Sequence, residues 1–353
     1  MRILIDIVHP ADVHFFKNAV NEWQDRGHKV LITARDKDIA LQLLRVYGFE
    51  FMCISSQGKG LWSMAHELVE RDLRLFRIAR IFEPDVLTGF TGISIAHVGR
   101  LLGKPSVVFY DTEFARLSNI LTYPLATLVC TPDCYDGQIG KKHIRFPGYK
   151  DLAYLHPHRF TPDPKVVQEA GIDPESKFFV IRFVSWAAAH DVGEKGLSYA
   201  NKIKFVKELS KYGRVFISSE SRLPEELSSY HPPISIDKMH HLMAFSSLYV
   251  GESATMASEC AVLGIPSIFI ATSGRGYITE QQRKYGLVFS FSDDEQDQAF
   301  EKMKELLRQS NLSNEWFQRR ERMLSEKTDV TTWMVEFIEK YVIGLNRVLL
   351  TKG

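Results

Sequence analysis

MRILIDIVHPADVHFFKNAVNEWQDRGHKVLITA, residues 1–34, decides the fold. Ile3 to Val8 is a short apolar run, and His9 to His14 follow it as a predicted loop. Phe15 to Gln24 has helical spacing, with Phe15, Phe16, Val20 and Trp23 on one side. Arg26-Gly27-His28 stops that helix, and Lys29 to Ala34 makes the next strand. Strand, loop, helix, glycine stop, strand is the βαβ unit of a doubly wound sheet.

The alternation continues. Asp38 to Tyr47 predicts a helix, Phe51 to Ser55 a strand, and Ser63 to Phe82 a long amphipathic helix. Asp85 to Thr88 predicts a strand that ends in the loop Gly89-Phe90-Thr91-Gly92, before a helix over Ile93 to Leu102. Strands are expected at Pro105 to Tyr110 and Leu125 to Cys130. From about Tyr154 to Pro174 the sequence is rich in Pro and His without a clear period, which marks a boundary. A second series then begins, with strands at Phe178 to Phe183, Val215 to Ser218, Leu248 to Val250 and Ser267 to Ile270. Helices are expected between them at Tyr199 to Lys211, His240 to Ser246 and Ala254 to Leu263. The expectation is an α/β chain of two Rossmann-like parallel-sheet domains, residues 1–155 and 156–330, facing a cleft. A closing helix in residues 331–353 is expected to pack back towards the first domain. Ligands in such sheets bind beyond the carboxyl ends of the strands.

Composition narrows the function. Lys and Arg number 44 against 43 Asp and Glu, a net charge of +1, so no global field favours nucleic acid as a partner. Cys53, Cys130, Cys134 and Cys260 form no C-x-x-C pair, and a chain of this size needs no disulfide staples. They are expected to be reduced, mostly buried thiols of a cytoplasmic protein, and no metal site is expected. No stretch reaches the roughly 18 apolar residues of a membrane span. Arg71, Arg74, Arg77 and Arg80 recur at three-residue spacing; such a run is expected to be a solvated face, or else a peripheral contact at the inner face of the membrane.

The most informative local segment is GESATMASECAVLGIP, Gly251 to Pro266. A Gly and small-residue turn leads from a strand into a helix whose leading N–H groups suit a diphosphate. Glu259, about a turn into that helix, can accept hydrogen bonds from ribose hydroxyls. The competing reading makes Glu259 an exposed helix residue without a ligand.

This segment resembles the C-terminal domain of GT-B sugar-nucleotide enzymes, among them the lipid-II-forming N-acetylglucosaminyltransferase and the non-hydrolysing UDP-GlcNAc 2-epimerase. The resemblance implies that Glu259 holds the ribose and that Ser253, Ala254 and Thr255 hold the phosphates. It also implies a phosphate-binding role for Ser185 and contacts from Gln281 and Gln282 to the donor sugar. His14 stands where these transferases have a Gly-rich loop ending in His, and Asp111 and Glu113 where the relatives show His-Glu or His-x-Glu. HPADVHFFKN, ITARD, DTEFARL and RFVSWAAAHD together resemble more closely a GT-B-like family of unassigned function, common in prokaryotes.

Each candidate has an ordinary reading beside it. His9 and His14 flank the first loop: His14 suits a general base or a phosphate contact, or both are partly exposed turn residues. Asp111 and Glu113 can take a proton from an acceptor hydroxyl, or Asp111 or Thr112 caps the following helix. Arg182, inside an apolar strand, needs an anionic partner, either a carboxylate such as Asp191 or a phosphate. His190 and Asp191 alone do not make a metal site.

Three functions compete. The first is a metal-independent glycosyltransferase of glycan or polysaccharide synthesis, using a nucleotide-sugar, on the relatives' pattern a UDP-sugar, as substrate with no further cofactor. Its acceptor would be a glycan or a lipid-linked hydroxyl, activated by His14 or Glu113. The second is a sugar-nucleotide epimerase, whose expected N-terminal carboxylates match here only at Glu113. The third is a non-catalytic sugar-nucleotide-binding or assembly protein.

Overall fold

The computed structural model describes residues 1–58, 60–184, 196–220, 223–272 and 274–350. Its short apolar strands lie in two all-parallel sheets, and contacts divide the chain into two units, Met1–Tyr154 with Thr328–Gly353, and Leu155–Lys327.

In the first unit the chain runs β1 (Arg2–Ile7), α1 (Pro10–Asp25), β2 (Lys29–Asp36), α2 (Ala40–Val46), β3 (Met52–Ser56) and α3 (Leu61–Phe82). It continues with β4 (Val86–Phe90), α4 (Ile93–Leu102), β5 (Ser106–Phe109), α5 (Arg116–Thr122), β6 (Leu128–Pro132) and β7 (His143–Phe146). The strand order is β3-β2-β1-β4-β5-β6-β7. Order reverses between β1 and β4, and the carboxyl ends there are where a doubly wound sheet receives ligands. The sheet is buried on both faces, as its near-continuous apolar strands require.

One ionic group sits inside this core. Asp6 of β1 is buried, accepts from Thr33 Oγ1 at 2.8 Å and pairs with the buried guanidinium of Arg71 on α3. On the same helix Glu67 takes both guanidinium branches of Arg35 at 2.6 Å. Arg71 therefore faces inward while Arg74, Arg77 and Arg80 face solvent, so the four arginines do not share one solvated or membrane-facing stripe. The three-residue spacing turns far enough round the helix to carry the first of them into the core.

A second structural pair joins three helices. His97 of α4 contacts Asp72 of α3 through Nδ1 at 2.6 Å and the carbonyl of Leu121 on α5 through Nε2 at 3.1 Å. The Asp72 hydrogen bond raises the pKa of His97 against the opposing effect of burial. A raised histidine pKa stabilises the fold fully below the unfolded value and ceases to do so as pH rises through the folded value. His97→Gln should therefore lower the melting temperature at pH 5.5 more than at pH 9, a comparison that thermal melts of both proteins at each pH can make.

The second unit contains α7 (Pro164–Glu169), β8 (Phe178–Phe183), α8 (Tyr199–Leu209), β9 (Arg214–Ser219), α9 (Met239–Phe245), β10 (Leu248–Gly251) and α10 (Ala254–Leu263). There follow β11 (Ser267–Ile270), α11 (Gly276–Glu280), a π-helical turn over Gln281–Tyr285, β12 (Val288–Phe291), α12 (Gln296–Leu307) and α13 (Leu312–Glu326). A short helix, α6 (Leu152–Leu155), holds the division between the units. The order β12-β11-β10-β8-β9 again reverses, here between β8 and β10. The last helix, α14 (Val330–Leu350), belongs to the first unit and lies against α1, with Glu339 bonded to Arg26 at 2.9 Å and to His28 at 3.0 Å.

The first loop is shorter than its sequence suggests. α1 begins at Pro10, with His9 as its N-cap, so His14 is helical and buried. The His9 ring accepts from Ala11 N at 3.2 Å, and Asp12 reaches back to His9 N at 2.9 Å, a capping box built on histidine. Cys53, on the outer strand β3, is exposed, whereas Cys130 and Cys260 are buried.

Candidate functional site

The second sheet places its reversal beside the segment singled out above. Arg182 ends the inner part of β8 and is paired in register with Gly251, the last residue of β10. A Cβ on Gly251 would stand 2.6 Å from the Tyr249 hydroxyl and 2.7 Å from the Arg182 carbonyl, so only glycine lets the chain turn here. Tyr249 is fully buried and donates to the Ser253 carbonyl at 3.1 Å, which holds the turn from below. Gly251→Ala should cost about 1–3 kcal/mol by overpacking this turn. Urea unfolding of the variant checks that figure.

Ser253 is the N-cap of α10, its hydroxyl accepting from Met256 N at 3.3 Å. Ala254 and Thr255 carry the leading N–H groups of the same helix, at its positive end. Gly264, with φ of 82°, closes the helix at its other end. Small residues line α10, which is buried on most sides and so can approach the sheet closely.

The two glutamates of this segment differ in environment. Glu252 is buried and accepts from Val184 N at 2.8 Å and Leu197 N at 2.7 Å, with Lys202 Nζ 3.1 Å away. It clamps the chain leaving β8 to the chain entering α8, and Gly196 leaves room for its carboxylate. Glu259 lies in the second turn of α10, buried, with Oε1 3.0 Å from Nε2 of the buried His240 on α9. The exposed-helix reading of Glu259 is thereby corrected. His240 had not been foreseen; its only signal in the sequence is its place in the helix before β10.

Arg182 donates to Ser218 Oγ at 2.7 Å and to Glu220 at 2.9 Å, both at the end of β9. A carboxylate partner is therefore present, supplied by the neighbouring strand. Asp191, the partner expected from sequence, lies outside the described residues, as do Ser185 and His190. Gln282 Oε1 accepts from Ser290 N at 3.0 Å. Gln281 is fully buried and donates to Ser258 Oγ of α10 at 2.8 Å. The side chain of Gln281 is thus engaged with α10, and its Oε1 has no hydrogen-bond partner among the described residues.

In the first unit His14 Nδ1 lies 3.1 Å from the Tyr47 hydroxyl, and its ring packs against Tyr47 and Tyr154. Lys17, one turn further along α1, stands 5.0 Å from the centre of the Tyr47 ring, and burial lowers its pKa. Sequence reading missed Lys17, although its three-residue spacing from His14 puts both on one face. Asp12 was missed too. It takes Val8 N and His9 N, and Lys150 Nζ lies 3.3 Å away; burial nonetheless raises its pKa. These groups fix the chain beyond β1.

Asp111 and Glu113 follow β5. Ala115 is the N-cap of α5 and no side chain caps that helix, so neither Asp111 nor Thr112 serves as its cap. Asp111 instead accepts from Thr112 Oγ1 at 2.9 Å. Beside them Tyr123 and Tyr135 share a 2.6 Å hydroxyl contact, with the Tyr110 ring packed on both. Burial raises the pKa of Tyr110, and Tyr135, Asp111 and Glu113 raise it further. The Tyr110 hydroxyl is buried without a partner among the described residues. Thr91, between β4 and α4, has φ of 65°, a costly conformation for a β-branched residue.

Two parallel sheets, each with an order reversal, match a known architecture. The spinosyn rhamnosyltransferase SpnG complexed with spinosyn aglycone superposes with a TM-score of 0.65 at 13% identity, over 96% of this chain and all (100%) of that one. UDP-GlcNAc 2-epimerase from Neisseria meningitidis bound to UDP-GlcNAc gives 0.64 at 14% identity, over 96% and 100%. The protein has the GT-B fold. It belongs to the family described as Protein of unknown function (DUF354), matched over residues 1–341. A relative from Methanocaldococcus jannaschii, the Uncharacterized protein MJ0665, is 25% identical over 276 residues, 75% of this chain and 80% of that protein. No helix among the described residues is long and apolar enough to cross a membrane.

Proposed function

We propose that the second unit binds a nucleoside-diphosphate sugar at the β8/β10 reversal, and that the protein transfers the sugar to a hydroxyl acceptor. The observation that carries this reading is the joining, in one short segment, of a glycine-only turn, a serine-capped helix N-terminus and a buried glutamate on that helix. The leading N–H groups of Ala254 and Thr255 would meet the diphosphate, with the positive end of α10 opposing its charge. Glu259 would accept from the ribose hydroxyls, and His240 would orient it for that task. In transfer, the acceptor oxygen forms a bond to the anomeric carbon, the bond to the diphosphate breaks, and the nucleoside diphosphate leaves. His14 or Glu113 is the proposed base that takes the acceptor's proton.

Epimerisation is the second reading. Its support is the likeness to the epimerase bound to UDP-GlcNAc, together with Glu113 beyond β5. Product analysis separates the two. With the sugar nucleotide that binds, a transferase releases nucleoside diphosphate in step with glycosylation of an added acceptor. An epimerase alters the sugar with no acceptor present. Turnover without either product, by a chain that binds the nucleotide, would overturn both.

A further inference from the structure

Large exposed apolar side chains concentrate on one side of the first sheet. On α3 these are Trp62, Val69, Leu73 and Ile81, at 91%, 60%, 54% and 83% exposure; α4 adds Leu101 at 71%, and α5 adds Leu117 and Ile120 at 64% and 70%. His97, bonded to Asp72 of α3 and to the Leu121 carbonyl of α5, holds the three helices side by side. Leu73 and Ile120 are the chain neighbours of those two contact points. These exposed apolar side chains thus sit on three neighbouring helices, more than single scattered residues would supply.

The order of residues along α3 says what fits it. At 3.6 residues per turn, Trp62, His66, Val69, Leu73, Arg77 and Arg80 fall within about 80° of one another, and all six are exposed. The stripe is aromatic and aliphatic in its first half and cationic at its end. Read in opposite directions it complements itself: 62 and 80 have the same sum as 69 and 73. A parallel pairing would set Arg77 and Arg80 against their own copies. The antiparallel one sends the two arginine ends apart and brings each to a tryptophan.

We propose that α3 packs antiparallel against α3 of a second copy of this chain, about a two-fold axis near residue 71. Trp62 lies on the partner's Arg80 as a cation–π pair, and Val69 on the partner's Leu73, each contact occurring twice as an isologous interface requires. Leu101, Leu117 and Ile120 flank the seam and widen it towards the roughly 800 Å² per partner of a stable dimer. An anionic lipid surface fits less well, because the arginines gather at one end of the stripe and leave the other without charge.

Disulfide capture tests the register. In a Cys53→Ser background, which removes the exposed thiol, Trp62→Cys and Arg80→Cys are made separately in the full chain. Like positions lie 18 residues apart along the seam, about 27 Å, far beyond the roughly 7 Å limit for a disulfide. The expected result is covalent dimer when the two variants are mixed and oxidised, and none from either alone. Val69→Asp combined with Leu73→Asp should weaken dimerisation at least about tenfold in sedimentation equilibrium. Its far-UV circular dichroism should stay that of the parent, since both residues are exposed in the single chain, while its melting temperature should lose the concentration dependence that dimerisation confers. A monomeric parent, a dimer that survives the double substitution, or capture by either cysteine alone would overturn the proposal. So would a monomer whose Trp62 fluorescence shifts on phosphatidylglycerol vesicles, which would give the face to lipid.

Discussion

Asp6→Ala should destabilise the first unit by about 3–5 kcal/mol. The substitution leaves the buried Arg71 guanidinium without its carboxylate, and its Nε already has no hydrogen-bond partner among the described residues. For a unit of this size the loss corresponds to a fall of order 10 °C in the midpoint of its thermal transition. Asp6→Ala combined with Arg71→Met removes both charges and should recover much of the loss, because a buried ion pair gains little over an apolar pair of similar volume. Denaturant curves on the three proteins test this. A single variant within about 1 kcal/mol of the parent would mean that water reaches the pair.

The second large effect is expected at Glu252. Glu252→Ala leaves one buried and one partly buried backbone N–H group without an acceptor and the Lys202 ammonium without its carboxylate, and should cost about 3–5 kcal/mol in the second unit. Glu252→Gln recovers only part of this. Its amide has one acceptor oxygen for two donors, and its NH₂ must face the other N–H. Because the clamp also sets the chain end of β8 beside Gly251, nucleotide affinity should fall with stability in both variants. Urea unfolding reads the first and calorimetric titration the second; an unchanged midpoint in Glu252→Ala would remove the clamp from the account.

The strand and helix alternation was legible because buried parallel strands are short apolar runs and the helices end at glycines such as Gly48, Gly103 and Gly264. The misreadings have physical causes. Pro10 looked like a turn residue, yet a proline at the first helical position loses no hydrogen bond, and histidine is an unusual cap. Asp163-Pro164 repeats that device at α7, inside a stretch whose composition marked only a boundary. Arg71 could not be told from Arg74 without its partner, which comes from β1, 65 residues earlier.

The candidate site was partly legible for a similar reason. Gly251 to Pro266 carries its own local chemistry: turn, cap, helix and glycine stop. The division of labour between Glu252 and Glu259 was not visible, because it depends on Val184, Leu197 and Lys202 on one side and His240 on the other. Gln281 and Gln282 looked equivalent in sequence; the π-helical turn buries one and bonds the other to Ser290.

The most direct test of the central claim is calorimetric titration of UDP, dTDP, GDP and CMP into the wild-type chain, Glu259→Gln and Glu259→Ala, each first shown to be folded. Saturable binding of one nucleotide by the wild type is the expected result. Affinity should fall about 10- to 150-fold in the variants, the worth of a hydrogen bond to a charged group. Equal affinity in all three, or no binding at millimolar nucleotide to a folded wild type, would contradict it.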